Sequence, residues 1–303
     1  MRNTFIDALL EAARDDANIF LIVGDLGYSV VDKFSQELPH QFLNAGVAEQ
    51  NMIGMAAGLA KEGYKVFVYS IANFPVHRCL EQIRLDVCYH NLDVTVVSVG
   101  AGFGYGTLGY SHHAVEDLGV MRGLPNMRIY SPSDPFEALA CLNDALHYSS
   151  PKYVRLGKNG EINLHSQMPS DIDFPIPLSP GGSTLILTTG SIAREALVAQ
   201  ELLKLKNIDV AVFTVPLVSP LNFVTGFFDS FKTIFVVEEH SLINGLGSAV
   251  SDMLHEQQIK CRLIKIALKN SIQIQIGSQE FLRKISGLDG ESIAHRVKSE
   301  LGF

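Results

Sequence analysis

Short apolar runs alternate with longer helical patterns along almost the whole chain, and this alternation limits the fold more than any other feature. Strands of a parallel sheet form continuous apolar runs, because helices cover both faces of such a sheet. In the first half these runs are IFLIVGD (19–25), KVFVYS (65–70), DVTVVSVG (93–100), MRIYSPSD (127–134) and KYVRLG (152–157). The helical patterns between them span 2–15, 48–62, 75–90 and 134–147. The alternation predicts an α/β fold.

Residues 159–182 interrupt this pattern with a stretch that has no clear period and is rich in proline and glycine near its end. Such composition is typical of a linker. A second alternation then follows, with apolar runs at 183–190, 209–215, 232–240 and 261–268 and helical patterns at 191–205 and 244–256. We therefore predict two domains, at 1–160 and 181–303, joined by a linker at 161–180. Each domain is expected to be a mostly parallel sheet flanked by helices.

Composition excludes several classes of function. A net charge of −8 argues against nucleic acid or an anionic membrane as the main partner. The apolar runs are too short to cross a bilayer, and we interpret the amphipathic N-terminal segment as a first helix, not a signal. The four cysteines have neither CxxC nor metal-ligand spacing, so we expect reduced thiols, no metal site in this chain and a cytoplasmic location.

In open α/β sheets, functional residues gather beyond the carboxyl ends of the strands. This rule directs attention to GDLGYS (24–29), YSIANF (69–74), GAGFGYGTLGYSHH (100–113) and RLGKNG (155–160). The glycine-rich loop at 100–109 is the most unusual of these segments. It matches neither GxxxxGK[ST] nor a GxGxxG fingerprint between a strand and a helix, so it is not evidence for a nucleotide site.

Glu49 lies at the start of the most apolar predicted helix, EQNMIGMAAGLA, and two interpretations are open. Carboxylates favour the first turn of a helix, where free N–H groups and the helix dipole stabilise negative charge. Asn44 lies nearby as a candidate cap. Alternatively, Glu49 is buried against the apolar helix, where desolvation favours the protonated carboxyl and makes it a proton donor at neutral pH.

His112 and His113 follow the glycine-rich loop and also have two interpretations. Histidines in such loops are often solvated turn residues, yet imidazole is the side chain best suited to proton transfer near pH 7. The VEEH segment (237–240) ends a predicted strand, and we interpret it as a structural turn, not a site.

Several segments together resemble one known family. The pyrimidine-binding domain of transketolases is similar in order, spacing and residue identity to three segments: FLNAGVAEQNMIGMAAGLA, SIANFPVHRCLEQIR and GYSHHAVEDLGVMRGLPNMRIYSPSD. VVEEHSLINGLGSAVSDML resembles their C-terminal domain. The resemblance covers nearly the whole chain and is strongest to the C-terminal subunit of split, two-polypeptide transketolases. It implies a transferase that uses thiamine diphosphate to move a two-carbon ketol unit between sugar substrates.

The resemblance also assigns cofactor contacts. The glutamate at the position of Glu49 hydrogen-bonds the aminopyrimidine ring of thiamine diphosphate and assists proton removal from the thiazolium ring, which makes it catalytic. Asp25 and Leu26 match an Asp-Leu pair whose leucine supports the bent cofactor. Phe74 matches an aromatic residue that stacks on the pyrimidine ring.

The same comparison assigns substrate contacts. His112 matches a histidine that contacts substrate and shuttles a proton, so we predict it to be catalytic, and we include the adjacent His113 in the substrate site. Arg2, Ser29 and Lys158 lie where the family binds a sugar phosphate. Lys158 replaces an arginine there, so a bidentate phosphate contact is reduced to a point charge.

Two positions depart from the family. Leu108 stands where an Asp reads a substrate hydroxyl, and Gly100 stands where a His contacts phosphate. We therefore expect a more apolar and roomier acceptor site, and an acceptor other than an ordinary pentose phosphate.

The chain also lacks the GDG motif that precedes the Asn of the diphosphate and Mg²⁺ site in this family. GLDGES (287–292) lies in the wrong domain and has no following Asn. We therefore expect an N-terminal transketolase subunit to supply the diphosphate-binding domain and to hold most of the Mg²⁺ site. The expected assembly is an α2β2 heterotetramer around self-associated copies of this chain.

Two alternatives remain open. The first is the beta subunit of a 2-oxoacid dehydrogenase decarboxylating component, which shares the fold and the glutamate but has different wording around GYSHH. The second is a non-catalytic scaffold subunit. Loss of the Asp and His supports a scaffold, whereas Glu49, Leu26, Phe74 and His112 argue against it.

Overall fold

The computed structural model describes residues 1–224 and 226–303, which contain two sheets. The first sheet has seven strands in the order β10-β5-β6-β4-β3-β1-β2, and all neighbours are parallel except β10 and β5. Its strands are β1 (Ile19–Val23), β2 (Phe42–Asn44), β3 (Lys65–Ile71), β4 (Val94–Val99), β5 (Arg128–Tyr130), β6 (Lys152–Leu156) and β10 (Leu217–Ser219).

The second sheet has five strands in the order β12-β11-β8-β9-β7, and only β7 runs antiparallel to its neighbour. Its strands are β7 (Ile176–Ser179), β8 (Thr184–Thr188), β9 (Val210–Thr214), β11 (Thr233–Ser241) and β12 (Arg262–Leu268).

Helices flank both sheets. Those around the first sheet are α1 (Arg2–Asp15), α2 (Asp32–Glu37), α3 (Glu49–Lys61), α4 (Phe74–His77), α5 (Leu80–Gln82), α6 (Asp117–Arg122) and α7 (Pro135–His147). Those around the second are α8 (Ala193–Lys204), α9 (Leu246–Glu256), α10 (Gln279–Ile285) and α11 (Gly290–Glu300). A π-helix spans Ile83–Cys88, and short 3-10 turns lie at Pro39–Gln41, Gly106–Leu108, Tyr110–His112 and Phe227–Ser230.

The predicted fold class is confirmed, because both sheets are mostly parallel and flanked by helices. Three strands were not predicted: β2, β7 and β10. Strand β7 lies inside the predicted linker and pairs with β9, while β10 returns from the second half of the chain to the edge of the first sheet. The single helix predicted at 75–90 is divided into α4, α5 and the π-helix.

The pattern of β3 shows why the first sheet has two hydrophobic layers. Phe67 and Tyr69 point into a core with α1 and α7, whereas Val66 and Val68 point into a second core with α3. Alternate residues of a strand face opposite sides, so a continuous apolar run serves both layers. Helix α3 is apolar because one face, including Met52, packs into this second core.

Buried charged groups join the two halves of the structure. Arg155 on β6 donates to Asp117 Oδ2 at 2.7 Å and to the backbone carbonyl of Glu239 on β11 at 3.1 Å. Burial raises the pKa of Asp117, but the positive charges of Arg155 and His240 lower it by more.

The prediction of a turn at VEEH (237–240) is wrong: these residues lie within β11 and are buried.

Within the residues that the structure describes, none of the helices has both the length and the apolar character needed to cross a membrane.

Candidate active site

The candidate site lies at the carboxyl edge of the first sheet, where segments after β2, β3, β4 and β6 meet. Six residues form a continuous series of contacts there, and we call them the candidate site. They are Glu49, Phe74, Arg78, Tyr105, His112 and Lys158.

Glu49 is the first residue of α3, which follows the short strand β2. It is only 6% exposed, and its side chain lies beside the backbone of Gly24 at the end of β1. Its Oε1 accepts a hydrogen bond from Arg78 Nη1 at 3.1 Å. The carboxylate therefore occupies a helix N-terminus and is also buried, and its role as a proton donor stays a prediction.

Phe74 begins α4, directly after the end of β3. The guanidinium carbon of Arg78 lies over its ring, 4.0 Å from the ring centroid. Arg78 is not among the residues selected from the sequence. One feature of the sequence indicates a contact with Phe74: Arg78 follows it by four residues, near the start of the helix predicted at 75–90. Side chains four residues apart on a helix lie on the same face.

His112 is connected to Glu49 through Phe74 and Arg78. Its ring centroid is 5.1 Å from that of Phe74 in an edge-to-face arrangement, and its Nδ1 is 2.9 Å from Ser111 Oγ. Burial, with smaller effects from Arg78 and His113, lowers the pKa of His112 below its ordinary value of 6.5. A neutral imidazole near pH 7 can accept a proton.

Tyr105 connects His112 to the predicted phosphate ligands. Its ring centroid is 6.3 Å from that of His112, and Lys158 Nζ lies 4.6 Å from it. Burial raises the pKa of Tyr105, and the nearby positive charge of Arg2 opposes part of that rise. Arg2 and Lys158 therefore both lie near the same phenol, an arrangement compatible with two ligands of one anion.

The space at Gly100 is filled, not empty. Gly100 has φ +98°, and a Cβ added there would collide with the ring of Tyr105. The expected roomier site is therefore not found at this position, because an aromatic side chain from five residues later occupies the volume. Leu108 is exposed at the end of the 3-10 turn Gly106–Leu108, and the expected apolar acceptor site stays a prediction.

His113 does not join the candidate site surface. It is fully buried, packs against Phe103 with ring centroids 5.1 Å apart, and places Nε2 3.3 Å from the Gly106 carbonyl. Its backbone carbonyl accepts from Asn73 Nδ2 at 2.6 Å, which ties the loop to the end of β3. In this structure His113 supports the loop that carries His112.

The remaining predicted residues lie in the loop after β1. Asp25 is exposed, with φ +56°, and its backbone N–H donates to Asn44 Oδ1 at 3.0 Å. Leu26 packs partly buried against the core. Ser29 is exposed, and its backbone N–H donates to Asp32 Oδ2 at 2.9 Å. Asp25 and Leu26 directly follow Gly24, whose backbone lies beside the Glu49 side chain.

The residues present fit an aminopyrimidine ring. A buried carboxylate and an aromatic face are bridged by a planar cation, which shows that a flat, nitrogen-bearing group can contact both at once. Among the described residues, no group of three or more His, Cys, Asp and Glu side chains is placed to hold a metal ion.

Comparison with known proteins identifies the family of the chain. The chain matches the family model of the transketolase pyrimidine binding domain over residues 1–160 and that of the transketolase C-terminal domain over residues 177–293. It is 35% identical to the putative transketolase C-terminal section of Methanocaldococcus jannaschii, over 99% of this chain and 96% of that protein.

Two further proteins extend the match. The chain is 31% identical to one of the subunits of the apulose-4-phosphate transketolase of Actinobacillus succinogenes, over 97% of this chain and 96% of that protein. A solved structure described as a split gene transketolase, inactive beta4 tetramer, superposes with a TM-score of 0.87 at 30% identity, covering 98% of this chain and 96% of the other. Both family models and these full-length similarities show that the chain belongs to the transketolase family.

Proposed function

We propose that this chain is the C-terminal subunit of a thiamine diphosphate-dependent transketolase that transfers a two-carbon ketol unit between sugar substrates. The observation that carries the proposal is a series of contacts: the buried Glu49 carboxylate binds Arg78, Arg78 covers the Phe74 ring, and that ring lies edge-to-face with His112. An aminopyrimidine ring needs both a hydrogen-bonding carboxyl and a stacking face. The family of the chain makes thiamine diphosphate the expected source of that ring.

Bound thiamine diphosphate would supply the nucleophilic carbon that carries the ketol unit. Glu49 would hold a proton at its carboxyl oxygen against a ring nitrogen of the cofactor, and Phe74 would orient the ring by stacking. Leu26 and Asp25, beside Gly24, are proposed to support the cofactor from the first strand. His112, neutral near pH 7, would accept and return a proton at a substrate hydroxyl.

Arg2, Lys158 and Ser29 are proposed to bind the anionic end of the sugar. The proximity of Arg2 and Lys158 to Tyr105 supports a shared anion subsite. For Ser29 the support is its place in the exposed loop at the same sheet edge. His113, which the sequence places in the substrate site, is proposed instead to support the loop that carries His112.

We also propose that a separate N-terminal subunit supplies the diphosphate site and most Mg²⁺ ligands, within an α2β2 assembly. Relatives named as a C-terminal section and as one subunit among others support this arrangement, as does the tetramer named inactive. Within this chain, we propose that the active site belongs to a domain at 1–160. A domain at 181–303 holds the glycine-rich loop through Glu239.

The test is calorimetry of thiamine diphosphate and Mg²⁺ binding, first with this chain and then with its complex with the N-terminal subunit. We expect binding only by the complex, together with ketol transfer between sugar phosphates. Glu49→Gln should lower turnover by about 10²- to 10⁴-fold, the usual contribution of a positioned acid or base.

Other outcomes would select the alternatives. Full activity of the Glu49→Gln complex would refute the catalytic role of this carboxyl, and absence of cofactor binding would favour a scaffold subunit. Release of CO₂ from a 2-oxoacid without ketol transfer would indicate the decarboxylating component. Full activity with xylulose 5-phosphate and ribose 5-phosphate as the substrate pair would remove the proposal of an unusual acceptor.

A further inference from the structure

Arg78 makes, with one side chain, both contacts that the proposed function assigns to the aminopyrimidine ring. Its guanidinium carbon lies 4.0 Å from the centroid of Phe74, and its Nη1 donates to Glu49 Oε1 at 3.1 Å. A guanidinium is planar, cationic and carries its N–H donors in its own plane. It therefore imitates a flat ring that stacks on one residue and hydrogen-bonds the other.

The guanidinium and a cofactor ring cannot occupy this position together, because one flat group already fills the space between the phenyl face and the carboxylate. Phe74 and Glu49 are fixed by the starts of α4 and α3, and Glu49 is only 6% exposed. The Arg78 side chain is 51% exposed, so it is the group that can move into solvent.

There is an electrostatic reason for such a substitute. A buried carboxylate with no partner is costly, and an opposite charge at hydrogen-bond distance offsets that cost. Arg78 also covers an aromatic face, which gains a cation–π contact. Both interactions stabilise the arrangement of Glu49 and Phe74 while no ring lies between them.

We propose that Arg78 is a place-holder for the aminopyrimidine ring, and that it must leave Glu49 and Phe74 before thiamine diphosphate can bind. The proposal rests on the proposed function, because it requires that Glu49 and Phe74 receive this cofactor. It makes Arg78 a residue that sets the apparent affinity and the rate of cofactor entry, and not a catalytic residue.

The test compares wild-type and Arg78→Met complexes, since methionine keeps an unbranched stem but has no charge and no plane. If Arg78 occupies the position in about nine molecules of ten, its removal lowers the Kd for thiamine diphosphate about tenfold and speeds association. The cofactor-free variant should unfold at a lower temperature than the wild type, because Glu49 has lost its counter-charge. Arg78→Lys keeps the charge without the plane, so its Kd should lie between the two.

Arg84→Met is the matched control, because Arg84 is 59% exposed and its ion partner Glu81 lies 3.9 Å away on the surface. It should change neither the Kd nor the unfolding temperature. The double variant Glu49→Gln/Arg78→Met should recover the stability that Arg78→Met loses, because no buried charge remains.

The outcomes separate the two proposals. Tighter binding combined with a less stable cofactor-free protein supports the place-holder. Unchanged or weaker binding by Arg78→Met, with normal binding by the wild type, overturns the place-holder and leaves the proposed function standing. No binding by the wild-type complex overturns the proposed function and the place-holder with it.

Discussion

Glu239 offers the sharpest test of how the second half of the chain holds the glycine-rich loop. It is 2% exposed, and its Oε1 accepts from the backbone N–H of Phe103 in that loop at 3.0 Å. Its Oε2 accepts from Arg283 Nη2 at 2.7 Å, and Gln279 Nε2 lies within 3.1 Å of both oxygens. Glu239→Ala would remove all of these acceptors at once.

The cost can be estimated from what the substitution leaves behind. Arg283 is 6% exposed, and its remaining carboxylate partner is Glu195, 3.6 Å from Nη1. Breaking a buried ion pair by removing one partner costs about 3–5 kcal/mol, and an orphaned buried N–H costs about 1–3 kcal/mol. Because both losses are partly relieved by water entering the same space, we expect a total of about 4 kcal/mol.

The assay is urea-induced unfolding in a double-mutant cycle with Arg283→Met, alongside limited proteolysis of the loop at 100–113. Removing both charged groups leaves no unpaired buried charge, so the double variant should be more stable than Glu239→Ala. The Glu239→Ala loop should be cut faster than the wild-type loop. Additive free-energy changes in the cycle, or a cost below about 1 kcal/mol for Glu239→Ala, would refute this account of the network.

Two further predictions concern Tyr105 and His165. Tyr105→Phe should raise the KM for anionic sugar substrates about three- to tenfold while leaving thiamine diphosphate affinity unchanged, since one hydroxyl near two cations is lost. Steady-state kinetics with calorimetry as control would test this. Burial lowers the pKa of His165, but hydrogen bonding to Asp134 and the charge of Glu137 raise it by more, above the ordinary 6.5. Protonated His165 therefore stabilises the folded protein fully below pH 6.5, and this stabilisation is lost as pH rises through the raised pKa of His165. The unfolding temperature of His165→Gln should accordingly vary less with pH than that of the wild type.

The fold could be predicted to the extent that strands are buried on both faces. All six residues of β4 are buried, which gives a continuous apolar run that is visible in the sequence. Strands β2 and β10 have three residues each, too few for a detectable pattern. Strand β7 lies at a sheet edge and is partly exposed, so its Pro177 and intermediate burial conceal it within an apparent linker.

The candidate site was predicted less completely, because its contacts join residues distant in sequence. Glu49 is recognisable as a carboxylate at the head of an apolar helix and His112 as an imidazole after a glycine-rich loop, whereas Phe74 is identified only through the resemblance. The pairing of Glu49 with Arg78 depends on how α3 packs against the segment after β3, twenty-nine residues along the chain. A helical pattern indicates which face is buried, but it does not specify the partner of a side chain at the helix end.

Gly100 and Tyr105 show why single positions are a poor guide to the shape of a site. Considered alone, glycine in place of histidine removes the volume of one side chain and one polar contact from the site. In the structure the ring of Tyr105 fills this space, and the ring lies near Arg2 and Lys158. The exchange replaces an imidazole with a phenol, which can donate to an anion but does not gain positive charge at neutral pH. The substrate site should therefore differ from that of a typical transketolase in charge more than in size.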